Sequence, residues 1–333
     1  MQDDTLGITV CGHKSKQMNM FLNTRTNIMN LQFGSDKCEK MHIGKHQDLN
    51  ICPKLEVDSW KEIVQNNTNG KKELKDVYAG KEEMKEVVEK KYLGDIISCD
   101  GKNKKNIKDR TNKATGNVNK IINTLNERPF GRHVFKALML MRKGVLLGGM
   151  LTNSESWINI TKQDIDELEK PDIHLFRKAL ESSASKVFMM LELGVIPVRF
   201  VLMKKRLQFL HYILSEPRDT MLRQVFEALK EESRHGDFIS LTNRDKIELE
   251  IDITDEDIAE ISKVSWKKFV KEKVTESALG YLLKENAQKE KTRHILFEEL
   301  KVSEYLLENR NRSLSIIIFS VRSQTLDIKE WKP

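Results

Sequence analysis

From residue 103 onward, apolar side chains return every three or four positions with little interruption. Ile107, Ala114, Val118, Ile121 and Leu125 step by 7, 4, 3 and 4, which lays one apolar stripe along a helix and leaves Lys, Arg and Asn elsewhere. "RPFG" breaks this helix, and Phe130 to Leu151 reads as a second, more apolar and buried one. The spacing predicts further helices over 161–181, 183–193, 197–215, 218–232 and 263–286, and a last long one near 291–308. Thr161 stands in N-cap position with acids in the first turns, and Pro197 suits a helix start. Residues 245–260 hold eight Asp/Glu and read as a linker with a short helix, while "SIIIFSV" near the end reads as a strand.

The first hundred residues have a different rhythm. Leu6, Ile8 and Val10 alternate with Thr5, Gly7 and Thr9, a period of two that predicts a strand. Met18, Phe21, Leu22, Ile28 and Leu31 place a helix over 14–31, and "CEKMHIG" at 38–44 reads as a strand stopped by Gly44. Residues 45–90 are irregular. "LEVDSWKEIV" can form a strand pair, "NNTNGKKELKD" is a turn-rich loop, and the Lys/Glu run after it reads as solvated or weakly helical. "KYLGDIIS" (91–98) is an apolar strand ended by the turn signal Asp100-Gly101. The fold class that follows is α+β, mostly α. It comprises a small mixed region, 1–98, and two helical regions, 99–217 and 218–333.

Charge narrows the partners. The net charge is +7, and the excess is local: Gly101 to Lys143 holds twelve Lys/Arg against Asp109 and Glu127. Such a block suits a polyanion, most often nucleic acid; its bland reading is a solvated helix face. A second cluster, Arg199, Lys204, Lys205 and Arg206, can touch phosphate, or Arg199 can pair inside the helical core. "KNKKNIKDR" also reads as a weak nuclear import patch. No apolar run reaches membrane-spanning length and no secretory leader opens the chain, so an intracellular location, nuclear or cytoplasmic, is expected. Cys11, Cys38, Cys52 and Cys99 lie too far apart for a disulfide framework.

Two adjacent carboxylates, Asp3 and Asp4, are candidate Mg²⁺ ligands, because Mg²⁺ takes oxygen ligands in octahedral geometry. Two such ions can activate an attacking oxygen and neutralise a leaving one in phosphoryl transfer. Cys38, His42 and His46 are spaced by four, with Cys52 beyond, but these spacings fit no zinc pattern. Trp157, Trp266 and Trp331 read as core anchors, and the Met and Leu stripe at 138–151 as core. No P-loop, dinucleotide fingerprint or nucleophile elbow points to a small-molecule cofactor.

The ordered series "QDD", "CGHKS", "LQFG", Lys37-Cys38 with Met41, and "KYLGDIIS" resembles the reverse transcriptases of non-LTR (LINE-type) retrotransposons, from the catalytic turn of the palm onward. "SESWINITKQDIDELEKPDIHLFRKAL" and "LELGVIPVRFVLMKKRLQFLHYIL" extend the resemblance to roughly residue 325. It implies an RNA-directed DNA polymerase acting by two-metal nucleotidyl transfer. The implied organisation is a palm remnant with a primer-grip-like strand, a helical thumb and a helical connector. It also implies that Asp3 and Asp4 are catalytic and bind Mg²⁺, that Lys37 flanks the incoming nucleotide, and that Tyr92, Leu93 and Gly94 hold the primer end. A thumb beginning near residue 100 would touch an RNA template and DNA primer through Lys102, Lys104, Lys105, Lys108, Arg110, Lys113 and Lys120. The family's fingers and a further aspartate strand would precede Met1, so this chain alone is expected to be inactive. The alternative is a helical nucleic-acid-binding or protein-interaction module without catalysis.

Overall fold

The stripe running from Ile107 to Leu125 is buried along one helix, α1 (Lys104–Glu127). In this computed structural model the described residues are 39–41, 56–66, 72–92, 94–127, 133–232, 235–308 and 312–325. The fold is α+β and mostly α. The chain divides into two compact units, Met1–Lys102 and Asn103–Pro333.

Among the described residues, the first unit carries three two-stranded pairings. β2 (Glu56–Asn66) and β3 (Lys72–Glu83) form a long antiparallel hairpin. Its register runs from Asn66 opposite Lys72 to Glu56 opposite Glu83 and slips by one residue between Ser59 and Trp60. The Lys/Glu run is thus strand and not weakly helical, while its solvated reading agrees with the exposed side chains of Glu83, Lys85, Glu86, Glu89 and Lys90. Ladder hydrogen bonds to the preceding segment override the helix preference of Lys and Glu, a context effect that propensity does not contain. β1 (Glu39–Lys40) pairs in parallel with β4 (Lys85–Glu86), so the strand expected at 38–44 is described only there. "KYLGDIIS" is not one strand but the inner part of a hairpin of β5 (Glu89–Tyr92) and β6 (Asp95–Ser98). Gly94 sits at φ 91°, a backbone region that L side chains rarely adopt, which is why the chain can reverse there. The Asp100-Gly101 turn follows, with Gly101 N–H donating to Ser98 O at 2.9 Å. The strand expected at 5–10 and the helix at 14–31 lie outside the described residues.

The second unit is helical. α2 (Val134–Met141) continues through a π-helical stretch, Arg142–Leu147, into a last turn, Gly148–Met150. α3 (Lys162–Leu180) begins at a capping box. Asp164 N–H donates to Thr161 Oγ1, and Thr161 N–H donates to the Asp164 carboxylate. α4 (Lys186–Glu192) is capped by Ser185, and α5 (Val198–Ser215) starts after Pro197. Then come α6 (Met221–Glu231), α7 (Phe238–Glu248), α8 (Asp255–Glu260) and α9 (Lys263–Ala287), capped in turn by Thr220, Asp237, Thr254 and Ser262. α1 and α3 run side by side in the same direction. Asn103 reaches Ile158 O at the start of the pair, Lys178 reaches Asn119 midway, and Arg312 bridges Asn126 and Ala179 O at the end.

Among the described residues, two apolar cores fill this unit. The first gathers α1, α2, α3 and α4 around Val118, Leu146, Leu168, Phe176 and Phe188. The second gathers α5 to α9 around Leu207, Phe226, Ile258 and Trp266. α9 serves both: Trp266, Val270, Val274 and Ala278 line the second core, and Leu282 enters the first. Leu138, Leu146, Leu147, Met150, Leu151, Trp157 and Trp266 are core, as expected, while Leu140 is exposed. Trp331 lies outside the described residues.

Two readings near the end are corrected. The long helix expected near 291–308 is a run of turns with one short helix, α10 (Glu304–Glu308). "SIIIFSV" is not a strand but lies in α11 (Arg312–Arg322), which buries Ser315 and Phe319 one turn apart. The turns before α10 are held by a bridge between Leu193 and Val302 and by Ser303 N–H donating to Glu192 O at 2.8 Å. That close approach requires Gly194: at φ 60° a Cβ there would stand 2.3 Å from the Lys301 carbonyl carbon.

Candidate nucleic-acid interface

The apolar stripe of α1 decides where its lysines go. With Ile107, Thr111, Ala114, Val118, Ile121 and Leu125 buried, Lys104, Lys105, Lys108, Lys113 and Lys120 are all left exposed. The first turn contains no acid, so Lys104 and Lys105 add positive charge to the positive end of the helix dipole. Such an arrangement costs stability in isolation and favours an anion nearby. Lys113 pairs with Asp109 one turn back. Lys102 belongs to the first unit and is exposed; its N–H donates to Asp100 Oδ1 at 3.0 Å.

Arg110 departs from this pattern. It is 6% exposed, and its Nε donates to Asn106 Oδ1 at 3.2 Å. Its Nη1 donates to Gly149 O at 3.2 Å and lies 3.5 Å from Met150 O, and the guanidinium stands over the Trp157 ring. Arg110 therefore closes the end of α2 against α1 and is not offered to a phosphate. A basic residue falling on the apolar stripe was the available signal, since position 110 lies one turn from both Ile107 and Ala114.

The second basic cluster splits in the same way. Arg199 pairs with Glu248 and stacks between Phe200 and Tyr281. Lys205 donates to Leu151 O at 2.7 Å and to Glu155 at 2.6 Å. Arg206 is buried against Asp245. Lys204 alone has no ion-pair partner among the described residues. Burial lowers its ammonium from the usual lysine range, and the positive charges of Lys271, Lys143 and Lys267 lower it further. These four lysines, from α2, α5 and α9, come together only in the folded chain, so no local pattern could reveal them.

The remaining expected residues divide by what is described. Tyr92 is half-buried and pairs across the β5–β6 hairpin with Asp95, beside Gly94. Asp3, Asp4, Lys37 and Leu93 lie outside the described residues, as do Cys38, His42, His46 and Cys52. Among the described residues no three His, Cys, Asp or Glu side chains converge as metal ligands. No described helix is long and apolar enough to cross a membrane. No family model, curated protein or solved structure matches the chain.

Proposed function

We propose that this chain is part of an RNA-directed DNA polymerase of the non-LTR retrotransposon class, and that its helical unit grips the backbone of a template–primer. The observation that carries the reading is the row of exposed lysines on α1, Lys104, Lys105, Lys108 and Lys120, standing where the family resemblance puts the start of the thumb. Lysines of this kind neutralise phosphates without reading bases, so affinity follows salt and not sequence. In such a polymerase Asp3 and Asp4 would hold Mg²⁺, and Lys37, Tyr92, Leu93 and Gly94 would lie beside the nucleotide and primer. The protein would then work inside the cell, in nucleus or cytoplasm.

The test is fluorescence anisotropy on a primed RNA template across a salt series. Binding should fall steeply with salt and be indifferent to scrambling of the sequence. Replacing Lys104, Lys105 and Lys108 by Gln should reduce the slope of log K against log salt by roughly 2–3. Binding that ignores salt would overturn the proposal.

A second reading, a helical protein-interaction module without catalysis, draws on α6. That helix exposes Met221, Val225 and Leu229 at successive turns of one face. Absence of nucleic-acid binding at low salt would leave this reading in place.

A further inference from the structure

We propose that Lys143, Lys204, Lys267 and Lys271 form a phosphate-binding site on the helical unit, built by α2, α5 and α9 and separate from the lysines of α1. The assignment of its ligand as a nucleic-acid backbone rests on the function proposed above; the site itself rests on packing.

Three ties fix α5 against α9 and the residues just before it. Trp266 Nε1 donates to Leu207 O at 2.9 Å, His211 Nε2 lies 2.8 Å from Ile261 O, and the Phe200 and Tyr281 rings stand 5.8 Å apart. The two helices therefore run antiparallel. Lys204, between Phe200 and Leu207, falls opposite the part of α9 that carries Lys267 and Lys271. Those two are one turn apart and share a face.

Two further bonds tie the π-helical stretch to the segment just before α5, and the residue after its last turn to the middle of α5. Arg142 Nη2 donates to Ile196 O at 3.4 Å, and Lys205 Nζ donates to Leu151 O at 2.7 Å. The π-helical turn lets Arg142 enter the core and meet Asp172 while the next residue, Lys143, stays exposed. π-helical turns appear frequently at functional sites.

Neighbouring acids do not serve these lysines. Glu155 pairs with Lys205, Glu248 with Arg199, and Glu272 with Lys268. Lys143, Lys204, Lys267 and Lys271 have no ion-pair partner among the described residues. Burial is the main cause of the lowered proton affinity of Lys204, and the charges that add to it, those of Lys271, Lys143 and Lys267, are all cations, in keeping with this geometry. Converging like charges repel unless an anion is shared, and a phosphate offers oxygens to several ammonium groups at once.

The experiment compares two charge-matched variants of the full chain. K143Q/K267Q/K271Q removes the exposed members of the site, and K268Q/K284Q/K289Q removes three exposed lysines elsewhere on or just beyond α9. Binding of a primed RNA–DNA duplex is read by anisotropy. In parallel, acylation of Lys204 in the unaltered chain is followed by mass spectrometry with and without inorganic tripolyphosphate, which needs no variant to fold. The first variant should bind about tenfold more weakly, with a salt slope smaller by roughly 2–3. The second should change little, and tripolyphosphate should protect Lys204. If the unaltered chain binds duplex but both variants weaken alike, or neither does, the site is refuted while the proposed function stands. If the chain does not bind duplex but tripolyphosphate protects Lys204, the site stands as one for free polyphosphate and the proposed function fails. If neither ligand acts, both are refuted.

Discussion

Arg206 holds Asp245 through both carboxylate oxygens, with Nε 2.7 Å from Oδ2 and Nη2 3.1 Å from Oδ1. Both side chains are buried, so this pair pins α5 to α7 inside the second core. Removing one partner strands a charge in an apolar setting. D245A should lower unfolding free energy by about 3–5 kcal/mol. R206M/D245L, which removes both charges, should recover most of it. Urea denaturation of the three proteins checks this, and a D245A loss under about 1 kcal/mol would show the pair to be loosely held.

Arg110 and the α1 lysines should separate stability from binding. R110M leaves the Gly149 carbonyl without its donor and should cost about 1–3 kcal/mol, while the salt slope of duplex binding stays unchanged. K104Q/K105Q/K108Q should do the reverse. The two readouts are thermal melting and anisotropy.

Lys204 makes stability depend on pH. Its lowered proton affinity means that, just below the usual lysine range, the folded chain holds fewer protons than the unfolded one. Stability should therefore rise with pH through that window, the charged form at neutral pH being a cost to the fold. K204M should remove the rise and gain about 0.5 kcal/mol at neutral pH. Chemical denaturation at several pH values reads both effects.

Two glycines should respond oppositely to alanine. G194A forces a side chain into the left-handed backbone region and against the Lys301 backbone, and should cost at least about 2 kcal/mol. G280A lies mid-helix in α9 with nothing within 4 Å of the added carbon, and should gain about 0.4–1 kcal/mol. Melting temperatures of the pair decide the matter.

The helical unit was readable because its apolar spacing is regular: Ile107 through Leu125 and Thr161 with Asp164 mean the same thing in sequence and in structure. The errors fall where a short run suits either period. "SIIIFSV" is rich in β-branched residues, yet Ser315 and Phe319 bury at helical spacing and Ile317 stays exposed. β3 misled for the opposite reason, because its Lys and Glu favour helix until β2 lies beside them. Of the candidate interface, the exposed lysines of α1 were legible. Arg110 carried a signal in its place on the apolar stripe, but Arg206 carried none, since only a neighbouring helix shows that this cation is buried. The lysines gathered by α2, α5 and α9 are scattered along the chain and invisible before it folds.

α9 lines both apolar cores with one continuous helix. Neither core can open without exposing part of the other's wall, so the helical unit should unfold as a single cooperative body. Slowly exchanging amides around Phe188 in one core and Leu207 in the other would then report the same opening free energy. Damage at either end of the unit would reach the whole of it.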